Sequence, residues 1–319
     1  MSELKAKVSV IMPVYNVEDC LSTSLNSLKN QTLRDVEFIC VNDGSTDNSL
    51  AILNEYASID NRFKIIDKQN NGVSAARNTG LDNANGKIIM FLDPDDFYEE
   101  FACERMYNEF LEAPTDICIF SSKIFPEFPK PPKWYNYILW SHYERFYEFE
   151  PEILFDNPCA KPFIWRHAYS KEFLDKFNIR FDERCNFGED TIFPMEAFPH
   201  AKNISFIADP LYNYRWSRDG SLMNLNKDID ERIEKHIFLV DIVADYWRKE
   251  GWLKLYKKQF AKWVFEFLMV DINAYNVKYR KLHMEHFYEL IRKYDLGKYI
   301  NKANVPMLSV KKYITDHLL

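Results

Sequence analysis

Three carboxylates, Asp93, Asp95 and Asp96, follow directly on a run of five apolar residues, 88–92. In an extended chain residues i and i+2 point to the same side, so Asp93 and Asp95 can face one ligand together. Two hard carboxylate oxygens suit Mg²⁺ or Mn²⁺ when a substrate's phosphates supply the remaining ligands. Acidic groups after a strand also serve as helix caps or solvated loop ends, and the spacing alone leaves both readings open. The elements that carry these residues have to decide.

An apolar strand of this kind is covered on both faces, and its C-terminal tip lies in the crevice where open α/β sheets bind ligands. Upstream, residues 8–12 form a first short strand, broken by Pro13 and followed by a helical pattern with Leu21, Leu25 and Leu28 on one face. Residues 36–41 are a second strand ending in the cap-rich turn 42–47, which leads into Leu50, Ile52, Leu53 and Tyr56. Residues 63–66 are a third strand. After Asn70, Asn71 and Gly72 a helix runs over 73–84, and the strand 87–92 delivers the aspartates. The order β-α-β-α-β-α-β implies a parallel sheet with right-handed crossovers.

Such a sheet collects its strand ends along one edge, so Tyr15, Asp43, Asn70, Arg77 and Asp93 can converge. A nucleotide needs an acceptor for the base, contacts for the ribose, and cationic groups or a metal for the diphosphate. Asp43 suits the first, Asp93 the second, and Arg77 with a metal on Asp95 the third. There is no Gly-x-Gly-x-x-Gly and no Walker loop, which disfavours a dinucleotide dehydrogenase or a P-loop enzyme. A phosphotransferase of the haloacid dehalogenase type also places Asp-x-Asp after an apolar strand, but on its first strand, whereas three strands precede it here.

Four blocks, in order, resemble the GT-A fold glycosyltransferases of family 2: residues 8–16 (VSVIMPVYN), 41–47 (VNDGSTD), 70–80 (NNGVSAARNTG) and 91–96 (FLDPDD). The resemblance is tight over about the first hundred residues. It implies a nucleotide-sugar donor, usually a UDP-sugar, and inversion at the anomeric carbon. Matched block by block, it puts Pro13 and Tyr15 along the base pocket and Asp43 on the base. Asn70 and Arg77 complete that wall, with Asp93 toward the ribose and Asp95 on the metal, Mn²⁺ or Mg²⁺. Asn42 departs from the Asp common at its position, while the second acidic position, Asp43, is kept.

An inverting transfer also needs a base for the acceptor hydroxyl. Asn186, Phe187, Gly188, Glu189 and Asp190 resemble the Glu-Asp motif of bacterial family members, which implies Asp190 as general base and Glu189 as a supporting contact. Both also suit a plain helix start. Residues 204–208 read as a strand, and 210–215 (PLYNYR) lead to Arg218, Asp219, Gly220 and Ser221. Arg215, Arg218 or Ser221 can reach a diphosphate, a guanidinium matching phosphate oxygens in a bidentate way; a surface ion pair is the alternative for the arginines. Lys161, Trp165 and Arg166 match a segment leading to the acceptor side. Trp165 is either a sugar platform or core.

The expected fold is therefore α/β, a GT-A unit with a mostly parallel sheet over residues 1–224 (nucleotide-sugar half 1–100, acceptor half 101–224) and a helical C-terminal region over 225–319. Pro126, Pro129, Pro131 and Pro132 punctuate an aromatic insertion (Trp134, Tyr135, Tyr137, Trp140, Tyr143, Phe146, Tyr147), read as a packed clasp or an acceptor flap. Six cysteines without paired spacing read as reduced core residues. With no signal peptide at its start and no apolar run of membrane-spanning length, the expectation is a cytoplasmic enzyme.

Charge is uneven. Residues 251–319 hold 13 Lys+Arg and 6 Asp+Glu, net +7, so with a chain total of −7 the first 250 carry −14. The basic, aromatic tail, with Trp252, Leu255, Phe260, Trp263, Val264, Phe267 and Leu268 at helical spacing, suggests peripheral contact with an anionic inner membrane face presenting a lipid-linked acceptor. A helical cap packing on the catalytic domain or another subunit is the alternative. His283 and His286 have metal-ligand spacing without a third ligand and read as a solvated face.

The expected activity is metal-dependent, inverting transfer of a hexose or N-acetylhexosamine from a UDP-sugar to a glycan hydroxyl, free or lipid-linked, with no nucleic-acid partner. Bacterial surface polysaccharide or lipooligosaccharide assembly is what the resemblance implies. Rival functions are a sugar-1-phosphate nucleotidyltransferase, whose glycine-rich basic loop is missing after Met12, a glycoside hydrolase, whose paired carboxylates need no nucleotide wall, and a non-catalytic nucleotide- or glycan-binding protein on the same fold.

Overall fold

The computed structural model describes residues 6–126, 139–160, 163–185, 187–216, 228–274 and 276–300. Lys161, Asn186, Arg218, Asp219, Gly220, Ser221, Pro129, Pro131, Pro132, Trp134, Tyr135 and Tyr137 lie outside them. Contacts divide the chain into two units, residues 1–150 with 157–216, and residues 151–156 with 217–319. The segment 151–156, assigned to the acceptor half by sequence, thus clusters with the C-terminal helices.

The first unit is built on β1 (Val8–Val14), β2 (Val36–Asp43), β3 (Phe63–Lys68) and β4 (Ile88–Phe91), joined by α1 (Glu18–Lys29), α2 (Ser49–Ile59) and α3 (Val73–Asp82). All three pairings among these strands are parallel, in the order β3-β2-β1-β4. β1, β2 and β4 are buried throughout, which is why they read as unbroken apolar runs rather than as alternation. The order reverses between β1 and β4, so their C-terminal ends flank the crevice at the topological switch point. Gly80 lets α3 lie directly on β1: a Cβ there would stand 2.3 Å from Ile11 Cγ2.

Beyond β4 the sheet turns mixed. β5 (Phe97–Tyr98), β6 (Ile117–Phe125), β7 (Glu144–Phe146), β8 (His167–Ser170) and β9 (Ile204–Arg215) continue it in the order β4-β8-β6-β9-β5, with β7 also on β9. β8 is antiparallel to both β4 and β6, β5 and β7 are antiparallel to β9, and β6 and β9 are parallel. Every parallel pairing is longer than any antiparallel one. Helices α4 (Ala102–Glu112), α6 (Lys171–Lys176) and α7 (Glu189–Ala197) belong to this unit, and α5 (Pro151–Phe155) to the second. All six cysteines are buried and unbridged.

Two expectations about the first unit are corrected. Trp165 is no sugar platform: it is 5% exposed and stacks on Phe163, Tyr212 and Tyr214 at 5.1, 4.5 and 5.5 Å between centroids. The insertion is only partly a clasp, since β7 adds a regular strand and Phe146 packs on Phe206 while Trp140, Tyr143 and Tyr147 are exposed.

The second unit contains α8 (Ile229–Lys249), α9 (Trp252–Leu255), α10 (Lys257–Ile272) and α11 (Arg280–Lys293). Phe260, Val264 and Leu268 of α10 are fully buried at i, i+4, i+8, and Trp263 stacks on Phe267. Phe155, Trp247 and Phe260 form an aromatic core. Leu255, expected on the apolar face, is 70% exposed. His283 is not solvated either. It is buried between Asp230 Oδ1 (2.7 Å) and Glu234 Oε1 (2.6 Å), and His286 Nδ1 meets the same Glu234 at 2.9 Å, which ties α11 to α8. Among the described residues no helix is long and apolar enough to cross a membrane.

Candidate active site

Asp93 leaves the end of β4, Arg77 points from the middle of α3, and Glu189 opens α7. The chain brings them into one cluster. Arg77 Nη2 donates to Asp93 Oδ1 at 2.9 Å and its Nη1 donates to Glu189 Oε1 at 2.8 Å. Arg77 is 4% exposed and lies over the Phe181 ring, while Glu189 is almost as buried. Gly188, with φ +82°, turns the chain into α7 and puts Glu189 and Asp190 in its first turn, where the helix dipole favours carboxylates.

Asp190 belongs to the same electrostatic cluster. Burial, then the charge of Glu189, push its pKa up to about 8, with Asp93 adding to the shift and Arg77 opposing it. Burial also raises Asp93, again against Arg77 and with help from Asp95. The resemblance put Arg77 in the base wall; the hydrogen bonds it makes here are to Asp93 and Glu189. It bridges the strand-end carboxylate to the Glu189–Asp190 pair, and its Nε is buried without a hydrogen-bond partner among the described residues.

The Asp-Pro-Asp-Asp loop is pinned from several sides. Asp96 is 2% exposed; its Oδ2 accepts the Tyr212 hydroxyl at 2.6 Å and its Oδ1 accepts the Arg215 backbone N–H at 2.6 Å. Burial, then the charges of Asp95 and Asp93, raise the Asp96 pKa well above the usual carboxylate range. Arg215 Nε donates to the Asp95 carbonyl at 2.7 Å and its guanidinium lies over Phe125. Neither Tyr212 nor the anchoring side of Asp96 was singled out from sequence. The Tyr-x-Tyr-Arg run on β9 was the available signal, but it takes the β5–β9 pairing to bring it to the loop.

A second cluster forms at the ends of β1 and β2. Asp43 accepts the backbone N–H groups of Asn71 (3.0 Å) and Gly72 (2.8 Å) at the start of α3, and Lys68 Nζ at 2.6 Å. Gly44, at φ +72°, is needed for that approach, since a Cβ there would be 2.8 Å from the Asn70 nitrogen. Asn70 and Tyr15 are exposed beside this turn and Pro13 is buried within β1; the Asn16 N–H, next to Tyr15, donates to Ser45 Oγ at 3.1 Å. Asn42, the departure from the family pattern, donates to Asp67 Oδ1 at 2.7 Å. Lys68, not foreseen from sequence, is the cation beside Asp43. The two clusters are linked by α3, which starts on Asp43 and carries Arg77.

No group of three or more His, Cys, Asp or Glu side chains among the described residues is arranged to hold a metal alone. The residues present still fit a cation shared with a substrate: Asp93, Asp95 and Asp96 crowd closely enough for Asp95 to raise both neighbours, a repulsion that bound positive charge would relieve.

The arrangement can be set beside known proteins. The family model "Glycosyl transferase family 2" matches residues 9–174. The chain is 34% identical over 239 residues to the uncharacterized glycosyltransferase EpsJ of Bacillus subtilis, covering 72% of this chain and 67% of that protein. It is 34% identical to the poly(ribitol-phosphate) beta-glucosyltransferase of Bacillus spizizenii, over 69% of this chain and about a third (34%) of that longer protein. Among solved structures, residues 1–349 of TarS from S. aureus superpose with a TM-score of 0.69 at 20% identity, covering 97% of this chain and 91% of that one. The same protein in complex with UDP-GlcNAc gives 0.62 at 21% identity, covering 97% and 92%. With the mixed sheet and the helical C-terminal region, these findings identify the chain as a GT-A fold glycosyltransferase belonging to glycosyl transferase family 2.

Proposed function

We propose that this glycosyltransferase moves a hexose or N-acetylhexosamine from a UDP-sugar to a glycan hydroxyl with inversion, using a divalent cation at Asp95 and Asp190 as general base. The observation that carries this is the Arg77 bridge between Asp93 and Glu189, which holds a donor-side carboxylate next to the pair containing the base. The base wall would be Pro13, Tyr15, Asp43 and Asn70, with Lys68 on Asp43; Asp93 would take the ribose, and Arg215 the diphosphate. TarS was solved with UDP-GlcNAc, which supports a UDP-sugar donor here.

In the transfer, Asp190 takes the acceptor's hydroxyl proton as that oxygen bonds to the anomeric carbon, and the bond to the diphosphate breaks with its electron pair leaving on UDP. An α-linked donor then gives a β-linked product. The cation, Mn²⁺ or Mg²⁺, held by Asp95 with Asp93 beside it, would supply charge stabilisation for the departing diphosphate. Burial keeps Asp190 basic enough for the task, since a raised pKa makes a better proton acceptor once it is ionised.

The acceptor is a growing surface polymer or its lipid-linked precursor on this reading, supported by the poly(ribitol-phosphate) enzyme among the relatives. A peripheral membrane contact would use the start of α11, where Lys278, Tyr279, Lys281 and Leu282 are exposed together. The deciding experiment is the Asp190→Asn variant assayed for UDP release from UDP-sugars and for UDP affinity. Lost turnover with near-wild-type UDP binding supports the assignment; a large loss of UDP binding removes Asp190 as the base.

A further inference from the structure

The Asp-Pro-Asp-Asp loop connects β4 to β5, and a two-residue strand is little to hold a loop that must aim a carboxylate. Its backbone is instead bonded from outside. The single proton of Ser24 Oγ on α1 is shared between the carbonyls of Pro94 (2.8 Å) and Asp96 (2.5 Å), Arg215 Nε donates to that of Asp95 (2.7 Å), and the Asp96 N–H closes the turn onto the Asp93 carbonyl at 3.1 Å. One side chain joins both ends. The Tyr212 hydroxyl accepts the Asp93 N–H at 3.3 Å and donates to Asp96 Oδ2 at 2.6 Å.

Tyr212 is itself immobilised. It is 0% exposed, with Trp165 stacked on one face at 4.5 Å and Tyr98 edge-on at 5.3 Å, and the Tyr98 hydroxyl donates to the Phe91 carbonyl at 2.7 Å. A hydroxyl has one proton and two lone pairs, so donating to Asp96 while accepting from Asp93 N–H is a consistent assignment. Asp96, facing Tyr212 and the Arg215 N–H, has its two oxygens occupied by protein and is turned away from the role given to Asp95.

We propose that Tyr212, acting through Asp96, is the positioning residue that sets the aim of Asp95, so that β9 and not the loop itself determines cation affinity at the donor site. The inference rests on the reading that Asp95 holds a divalent cation. Partners of this kind orient ligating carboxylates, and their loss typically costs 10–100-fold in metal affinity or activity. Packing alone gives no such effect, because phenylalanine fills the same buried volume.

The test is Tyr212→Phe in the full chain, with Asp96→Asn as a second variant, comparing titration of Mn²⁺ into the protein saturated with UDP and titration of UDP in EDTA. The expected result is about a tenfold weaker Mn²⁺ affinity in both variants, with stoichiometry kept and UDP affinity in EDTA unchanged. Unchanged Mn²⁺ affinity overturns the proposal. So does a fall in stoichiometry at unchanged affinity, which would mean that the tyrosine only supports folding. A wild-type protein whose UDP complex takes up no Mn²⁺ removes the metal reading and this inference with it, whereas uptake that the variants do not weaken removes this inference alone.

Discussion

Arg77 carries two ion pairs from a site almost closed to water, and at that burial each missing partner is expensive. Arg77→Met should therefore destabilise the protein by about 3 kcal/mol in denaturant unfolding, well beyond a surface substitution, and a loss under about 0.5 kcal/mol would show the bridge to be incidental. On the proposed mechanism Asp190 sets the pH dependence. Its burial and the Glu189 charge place its pKa at about 8 in the free protein, so it is largely protonated, and unable to act as a base, at lower pH. kcat/KM should rise with pH and level off above about 8; a profile flat from about pH 6 to about pH 9 contradicts the base assignment. At this scale the sequence was most legible where several residue types had to coexist in one block. Asp93, Asp95, Glu189 and Asp190 were visible that way, whereas the place of Arg77 was not, because its partners come from 16 and 112 residues away.

Helix α3 links the two clusters, and its seat on β1 depends on Gly80. Gly80→Ala would drive a methyl group into Ile11, a buried contact that costs about 1–3 kcal/mol unless Ile11 is trimmed as well. A thermodynamic cycle with Ile11→Ala should show that the second substitution costs less in the presence of the first; additivity would mean α3 has room to move. Helix α7 makes a different prediction. Burial, then the charge of Asp182, push the Glu196 pKa up to about 8 from an ordinary value near 4.5. Between those values the unfolded chain has lost the proton and the folded one keeps it, so stability falls as pH rises across that window and levels off above about 8. Glu196→Gln should flatten the loss, gaining about 1–2 kcal/mol relative to wild type at pH 8.5. Equal stability profiles for the two proteins would contradict it.

The three β-α units and the strand β4 after them were legible because β1, β2 and β4 are buried on both faces and the intervening helices carry one apolar side. The far half was not: β8 inserts antiparallel between β4 and β6, a non-local pairing that no local period announces. β9 runs to Arg215 through Pro210, where its register with β6 shifts. Trp165 looked like a ligand platform only because its three stacking partners are brought by the stretch of β9 beyond residue 208 and by Phe163.

At the scale of the whole molecule, the charge asymmetry remains the feature with the clearest physical consequence. The basic C-terminal region should favour anionic vesicles over neutral ones, with binding that weakens as salt is raised. Lys278→Glu with Lys281→Glu should reduce that binding while leaving UDP affinity alone; equal binding to neutral vesicles, or none at all, would leave the region as a helical domain without a membrane role. The sequence exposed the helical period here but not the His283 and His286 contacts, since Asp230 and Glu234 lie about fifty residues away on α8. The central claim concerns the first unit, where a nucleotide-sugar is to be held by the edge of the sheet and a cation. Calorimetric titration of UDP, first with Mn²⁺ and then with EDTA, tests it most directly. Micromolar binding with Mn²⁺ that EDTA weakens without abolishing is the predicted result, and no UDP binding under either condition would contradict it.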